Sequence, residues 1–327
     1  MINGKLLTVS ASPHVRSVQT TTKIMLDVIL ALMPALAVSV AAFGPRVLLV
    51  CAVSVTCAIL AEYASRKIMK RSMTIGDLSA IVTGLLVAFN MPSTIPFWMA
   101  GLGSVIAIVV VKQFFGGIGQ NFANPAIVAR IVLLLSFGAE MTNWVKPLTW
   151  KVDAVSTATT LATLKTGSTE NLPSLADMFL GMRAGCLGET CAAALILGGI
   201  YLLIKKVIKP AIPAAYIGTV AVIMLIKGHG DLNFVAYELL SGGLLLGAIF
   251  MATDYSTSPI NTKGKIIFGI GCGVITALIR MFASMTEGVS FAILIMNLLV
   301  PYIEKATVPK PFGTPKKERK EKEAAKA

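Results

Sequence analysis

Near the centre of a polar stretch, residues 139–189, runs Asp153-Ala-Val-Ser-Thr-Ala-Thr-Thr-Leu161. One carboxylate, Asp153, stands upstream of four hydroxyls, on Ser156, Thr157, Thr159 and Thr160. Taken alone, such a run reads as solvated loop. Its length gives it weight, because long connections without regular structure usually carry a use. Two other segments concentrate polar groups. Phe115-Gly-Gly-Ile-Gly-Gln-Asn-Phe-Ala-Asn-Pro125 combines pliant backbone with side-chain amides. Thr253-Asp-Tyr-Ser-Thr-Ser-Pro-Ile-Asn-Thr-Lys-Gly264 offers a donor or acceptor at almost every position. Glycine lets backbone approach a ligand, and Asn both donates and accepts, as an amide-like heterocycle requires. Capped turns use the same residues. Pattern alone therefore leaves a polar-ligand site and an ordinary turn both open at Gly116, Gly117, Asn121 and Asn124.

Positioning these groups falls to apolar helices. Of 327 residues 55% are hydrophobic and only 14% charged, against about 25% charged in soluble domains. The apolar residues come in runs approaching the roughly 20 needed to cross a bilayer. The chain reads as an all-α polytopic membrane protein with ten spans, at about 24–43, 47–64, 77–91, 95–112 and 122–138, then 190–204, 211–226, 233–252, 264–280 and 287–303. The third and sixth are short. The opening residues lack the zones of a secretory signal, so the first span is expected to remain. Lysine and arginine gather on one side of this ten-span pattern, which predicts cytoplasmic termini and an extracytoplasmic polar loop. The expected organisation is a cytoplasmic segment 1–22, a five-helix unit 23–138, the loop 139–189, a second five-helix unit 190–304 and a basic tail 305–327. The net charge of +13 is explained by lipid headgroups and topology, not by nucleic acid.

Ionisable residues at membrane depth are costly and suggest function by default. Asp27, Arg130 and Asp254 are read as lining an ion path or a cofactor, or as structural pairs. Lys112 and Arg280 read as span-end anchors that snorkel. The five cysteines and two histidines form no zinc or iron–sulfur spacing, and Cys186-x4-Cys191 reads as two ordinary thiols. The two halves also look alike. Thr83–Phe89 resembles Gly242–Ala248, Val111–Phe114 resembles Ile279–Phe282, and Asn121–Ala123 resembles Ser290–Ala292. Five spans per half would make these inverted repeats, an architecture that sets polar sites beside interrupted helices.

Several of these stretches carry a family resemblance over nearly the whole chain. They are Ser12-Pro-His-Val-Arg16 with Thr20–Met25, Val111–Ala126, Leu187-Gly-Glu-Thr190, and Met251–Asp254 with Ser258–Gly264. Together they resemble the D-subunit family of Rnf complexes, ion-translocating ferredoxin:NAD⁺ oxidoreductases. The chain is more distantly similar to the B subunit of the Na⁺-translocating NADH:quinone oxidoreductase. The loop run resembles that family's Ser-Gly-Ala-Thr motif, with Thr157 where Gly is frequent.

The resemblance implies FMN joined to Thr159 through a phosphoester, with Thr157 and Thr160 as neighbouring alternatives. It implies that Asp153 and Ser156 are read by a separate flavin transferase, which is expected to need an exposed acceptor loop. Trp144 and Trp150 are read as interfacial anchors first and as rings stacking near the flavin second. A second, non-covalent flavin, riboflavin or FMN, is implied in the membrane part, with Asn121 and Asn124 as first contacts and Gly116, Gly117 and Asp254 behind them. The implied protein is an electron-relaying subunit of a prokaryotic cell membrane, inactive alone. Its partners would be membrane subunits, an FMN-bearing G subunit and iron–sulfur subunits, and it would be coupled to Na⁺ or H⁺. The rival readings are a quinone-reducing subunit and a secondary transporter or channel for a small polar solute.

Overall fold

The computed structural model describes residues 19–148, 159–165, 172–283 and 287–309. Asp153, Ser156, Thr157 and Trp150, like Ser12–Arg16 and the tail from residue 310 onward, lie outside the described residues.

Helices occupy all ten stretches expected to be apolar spans. The first half contains α1 Thr21–Phe43, α2 Arg46–Ile68, α3 Ser79–Phe89, α4 Phe97–Gln113 and α5 Pro125–Ser136. The second contains α6 Ala192–Ile204, α7 Ala211–Lys227, α8 Leu232–Leu240, α9 Leu244–Met251, α10 Thr262–Phe282 and α11 Val289–Thr307. Only α1, α2, α10 and α11 are long and apolar enough to cross a membrane singly. The pair α8–α9, bent by 66°, makes a fifth such span. The remaining helices are shorter apolar segments. The chain is a helical, membrane-embedded protein.

Local chemistry sets the boundaries. Thr20 caps α1, its side chain accepting from the Lys23 amide at 3.3 Å. Asn124 caps α5, and Pro125 follows at the first helical position, where its missing N–H costs nothing. The α8–α9 break falls at Ser241-Gly-Gly243, where Gly242 has φ 64°. The second half of α4 and the end of α9 widen to π-type turns, with Phe114 N–H donating to Val109 and Ala252 N–H to Gly247. Such widened turns frequently mark functional positions. The polar stretch 139–189 is partly helical, at Thr160–Lys165, Leu175–Leu180 and Leu187–Glu189.

Packing pairs like with like. α2 lies along α3 and α4, and its counterpart α7 lies along α8, α9 and α10. The halves meet where α1 packs on α6 and α5 on α11, first on first and last on last. Close approach rests on missing side chains. A Cβ at Gly84 would stand 2.8 Å from the Val55 backbone, and one at Gly273 2.6 Å from Thr219 Cβ. In lipid, where hydrophobic drive between helices is weak, such small-residue contacts carry association. The bundle has a proximal end, where α1 begins, and a distal end opposite it.

Candidate functional site

The proximal end holds a pocket of about 790 Å³, counted to its open mouth. Its walls come from the starts of α1, α3 and α5, the ends of α6 and α9, and the segment before α5. Ile24, Val28, Val82, Leu86, Leu202 and Phe250 make it largely apolar, and Lys112, Asn121, Asn124 and Asp254 enter the same space. Three residues expected to share a ligand are thus brought together. A mostly apolar cleft with a few converging polar groups suits a flat heterocycle.

The two asparagines differ. Asn124 Oδ1 accepts from the Ala126 and Ile127 amides at 3.0 and 3.3 Å, and its Nδ2 donates to the Met251 carbonyl at 3.2 Å. Its polar atoms are occupied in holding α5 against α9. Asn121 Oδ1 is buried and has no hydrogen-bond partner among the described residues. A buried unpaired acceptor is costly, and in a pocket wall a ligand donor would relieve it. Asp254 accepts from Ser256 and Thr257 hydroxyls at 3.0 and 3.2 Å, while burial raises its carboxyl above the ordinary range.

Gly116 and Gly117 stand outside the pocket wall. Their φ values of 127° and 108° turn the chain after α4, and a Cβ on Gly117 would strike the Arg66 guanidinium. Asp27 accepts from Tyr201 at 2.8 Å, bridging α1 and α6.

Lys112 and Arg280 do not snorkel. Lys112 is 2% exposed and donates to both Glu62 oxygens, at 3.0 and 3.2 Å, and to Ser79 at 2.6 Å. Arg280 is 4% exposed and pairs with Glu238 at 3.0 Å. Each lies beside a carboxylate on a neighbouring helix, which holds the charge inside the bundle. Glu62 and Glu238 fall within expected spans and Glu287 stands at the start of one, so the rule that singled out Asp27 would also have found them.

The distal end holds a different arrangement. Thr159 borders a small cavity of about 230 Å³ together with Arg183, Glu189, Gly242 and Glu287. Thr159 is buried, contrary to the exposed acceptor expected from sequence. The physical reason is local: it opens the helix Thr160–Lys165, its hydroxyl accepting from the Ala162 amide at 3.3 Å, and Leu161 packs against the α8–α9 break at Gly242.

Behind the cavity Arg130 gathers the charges. Its guanidinium donates to Asn90 at 2.9 Å, to Glu189 at 3.3 Å and to Glu287, and approaches Cys186 Sγ at 3.5 Å. Arg130 therefore belongs to the distal cluster, not to the proximal pocket. Cys186, Glu189 and Glu287 offer ligand atoms within 4.8 Å of one another, but Arg130 already supplies their cation. Cys186 and Cys191 are both buried free thiols. Glu287 precedes α11. Burial, reinforced by Glu189, pushes its carboxyl up to about 7 against the opposing pull of the arginines.

Buried contacts join the two ends. Asn124 reaches the Met251 carbonyl, Asn90 Nδ2 lies 3.6 Å from Met251 Sδ, and Asn90 Oδ1 accepts from Arg130.

Comparison with known proteins agrees over almost the full chain. The NQR2, RnfD, RnfE family matches residues 8–313. The chain is 46% identical over 318 residues to the D subunit of the Na⁺-translocating ferredoxin:NAD⁺ oxidoreductase complex of Acetobacterium woodii, covering 96% of this chain and 98% of that protein. It is 42% identical over 324 residues to the D subunit of the proton-translocating ferredoxin:NAD⁺ oxidoreductase complex of Clostridium ljungdahlii, with coverage of 96% and 98%. It is 34% identical over 345 residues to the D subunit of the ion-translocating oxidoreductase complex of Escherichia coli O7:K1, with coverage of 93% and 98%. The chain belongs to the NQR2, RnfD, RnfE family.

Proposed function

We propose that this chain is the D subunit of an ion-translocating ferredoxin:NAD⁺ oxidoreductase complex. It relays electrons between FMN linked to Thr159 and a second flavin, riboflavin or FMN, in the proximal pocket. The observation that carries the reading is the separation of the expected flavin positions. Thr159 borders the distal cavity, and Asn121, Asn124 and Asp254 meet in the proximal pocket. A subunit that moves electrons across a membrane needs a carrier toward each face. Similar proteins bear the complex's name at 46% and 42% identity.

The residues fit the groups assigned to them. Asn121 Oδ1 is buried with no partner among the described residues, and Asn121 lines the pocket in which a flavin ring N–H would donate to it. Thr159 borders a cavity in which Arg183 offers a cation to a phosphate and which is too small for a tricyclic ring, so the ring would lie outside it. Bound flavin supplies one- and two-electron redox chemistry. The pocket would orient it, Val82, Leu86 and Phe250 would keep water from it, and Lys112 and Asp254 would set charge near it.

The like-with-like packing of the halves supports ten spans in two inverted five-helix repeats. So does the matched pair Lys112–Glu62 at the proximal end and Arg280–Glu238 at the distal end. Lysine and arginine near the proximal helix ends support a cytoplasmic proximal face and cytoplasmic termini. The redox drop would drive Na⁺ or H⁺ outward. Attachment to a buried Thr159 requires the flavin transferase to act before the loop closes, or on an opened loop.

The test is intact mass and peptide mapping of the chain purified in its complex, from cells with the flavin transferase. An FMN-sized addition on the Thr159 peptide, and a second flavin released on denaturation, are expected. Absence of both would leave solute transport as the reading to test.

A further inference from the structure

We infer that Arg183 is the counter-charge for the phosphoester at Thr159, and that this chain holds an anion site there before any flavin is attached. The inference rests on the reading of Thr159 as the flavin-bearing residue and names the group that receives its phosphate.

The geometry isolates Arg183 among the distal arginines. Arg130 is taken by Glu189 and Glu287, and Arg280 by Glu238. Arg183 has no carboxylate within ion-pair distance among the described residues. Its Nε donates to the Glu189 carbonyl at 3.1 Å and Nη2 donates to the same oxygen. Its Nη1 is buried, with no hydrogen-bond partner among the described residues. The residue is 4% exposed, yet it borders the cavity that Thr159 borders.

A buried guanidinium whose hydrogen bonds all go to one neutral carbonyl, with the nearby Glu189 and Glu287 engaged by Arg130, is incompletely compensated. Consistent with that, burial lowers the affinity of Arg183 for its proton despite nearby Glu189 and Glu287. A phosphodiester carries one negative charge and two free oxygens, which match a guanidinium with an unsatisfied N–H. The cavity also contains Glu189 and Glu287, but Arg130 engages both. Glu287, titrating near 7, accepts a proton readily when a second anion approaches.

A structural arginine and an anion-binding one behave oppositely in the unloaded protein. Without flavin, replacing a poorly compensated charge should not destabilise the site. With flavin attached, the same replacement should remove a stabilising contact. The experiment compares the complete complex of the parent, Arg183→Gln and Arg183→Lys, each from cells with and without the transferase. The readout is thiol labelling of Cys186 on heating, located by mass. Cys186 is fully buried three residues along from Arg183, so its labelling reports local opening. FMN mass on the Thr159 peptide gives the loading.

The expected result is that loading raises the labelling temperature in the parent. The rise disappears in Arg183→Gln and is partly restored in Arg183→Lys, while unloaded Arg183→Gln labels at or above the unloaded parent. A loaded Arg183→Gln with an undiminished rise overturns the inference. So does unloaded Arg183→Gln opening well below the unloaded parent, with Arg183→Lys restoring it, because the arginine would then be structural. A parent without FMN on Thr159 removes the underlying reading, which is a separate outcome seen in the mass alone.

Discussion

The proximal pocket and the distal cavity are built on opposite principles. The proximal one is larger and mostly apolar, with Lys112 paired to Glu62, Asp254 held by the Ser256 and Thr257 hydroxyls, and the Asn121 amide oxygen left without a partner among the described residues. The distal one is small and ringed by charge, with one guanidinium nitrogen, on Arg183, left open. A pocket of the first kind can retain a flat apolar ligand by burial alone. The second cannot enclose a ring, so anything it holds must be anchored by charge or by a bond. On the proposed reading, this difference matches a carrier free to dissociate at one end and a tethered one at the other.

The largest effect expected at either end is that of Thr159→Ala. It should abolish covalent flavin and electron transfer by the complex while leaving the second flavin in place, as separate mass and fluorescence measurements would record. Covalent flavin retained in this variant would move the linkage to Thr157 or Thr160. Arg130→Ala should follow. It strands Glu189 and Glu287 in a buried site, and breaking such a pair costs roughly 3–5 kcal/mol. Poor yield or a steep fall in melting temperature is expected, and a variant as stable as the parent would show that the cluster is solvated.

Glu287 gives a pH test of the distal end. Its carboxyl ordinarily titrates at 4.5 and is raised to about 7 in the folded chain. The folded state therefore binds the proton more tightly than the unfolded one. Its stabilising contribution is full below about 4.5 and is lost as pH rises through about 7. Glu287→Gln should flatten the decline in melting temperature across that window, and an unchanged slope would assign it elsewhere.

The smallest effect separates the two asparagines. Asn124→Ala removes the cap of α5 and should cost about 1 kcal/mol even without flavin. Asn121→Ala should leave the empty protein's stability within about 0.5 kcal/mol and lower retention of the non-covalent flavin. Equal behaviour of the two variants would erase the distinction drawn from their hydrogen bonds.

Much of this was legible in the residues. Apolar runs gave the helices nearly to their ends, because lipid-facing composition leaves the backbone little choice. The break between α8 and α9 fell inside the single span expected at 233–252, but the amide-rich segment before α5 and the polar turn after α9 announced themselves by residue type. The burial of Lys112 and Arg280 did not. A cation near a helix end looks the same whether it snorkels or points inward, and only the neighbouring Glu62 and Glu238 decide it. Nor did Arg183 stand out, since a loop arginine has no pattern.

The sequence by itself determined a helical membrane protein, its family, and the residues able to hold a polar ligand, because composition and local spacing are properties of contiguous chain. Only the tertiary structure decided which of those residues share a pocket, that Arg130 faces Glu189 and Glu287 and not the proximal pocket, and that Thr159 is buried and shares a cavity with Arg183. Those facts depend on contacts between segments far apart in the chain. Packing sets them by bringing together the charges and shapes of helices that no local pattern relates.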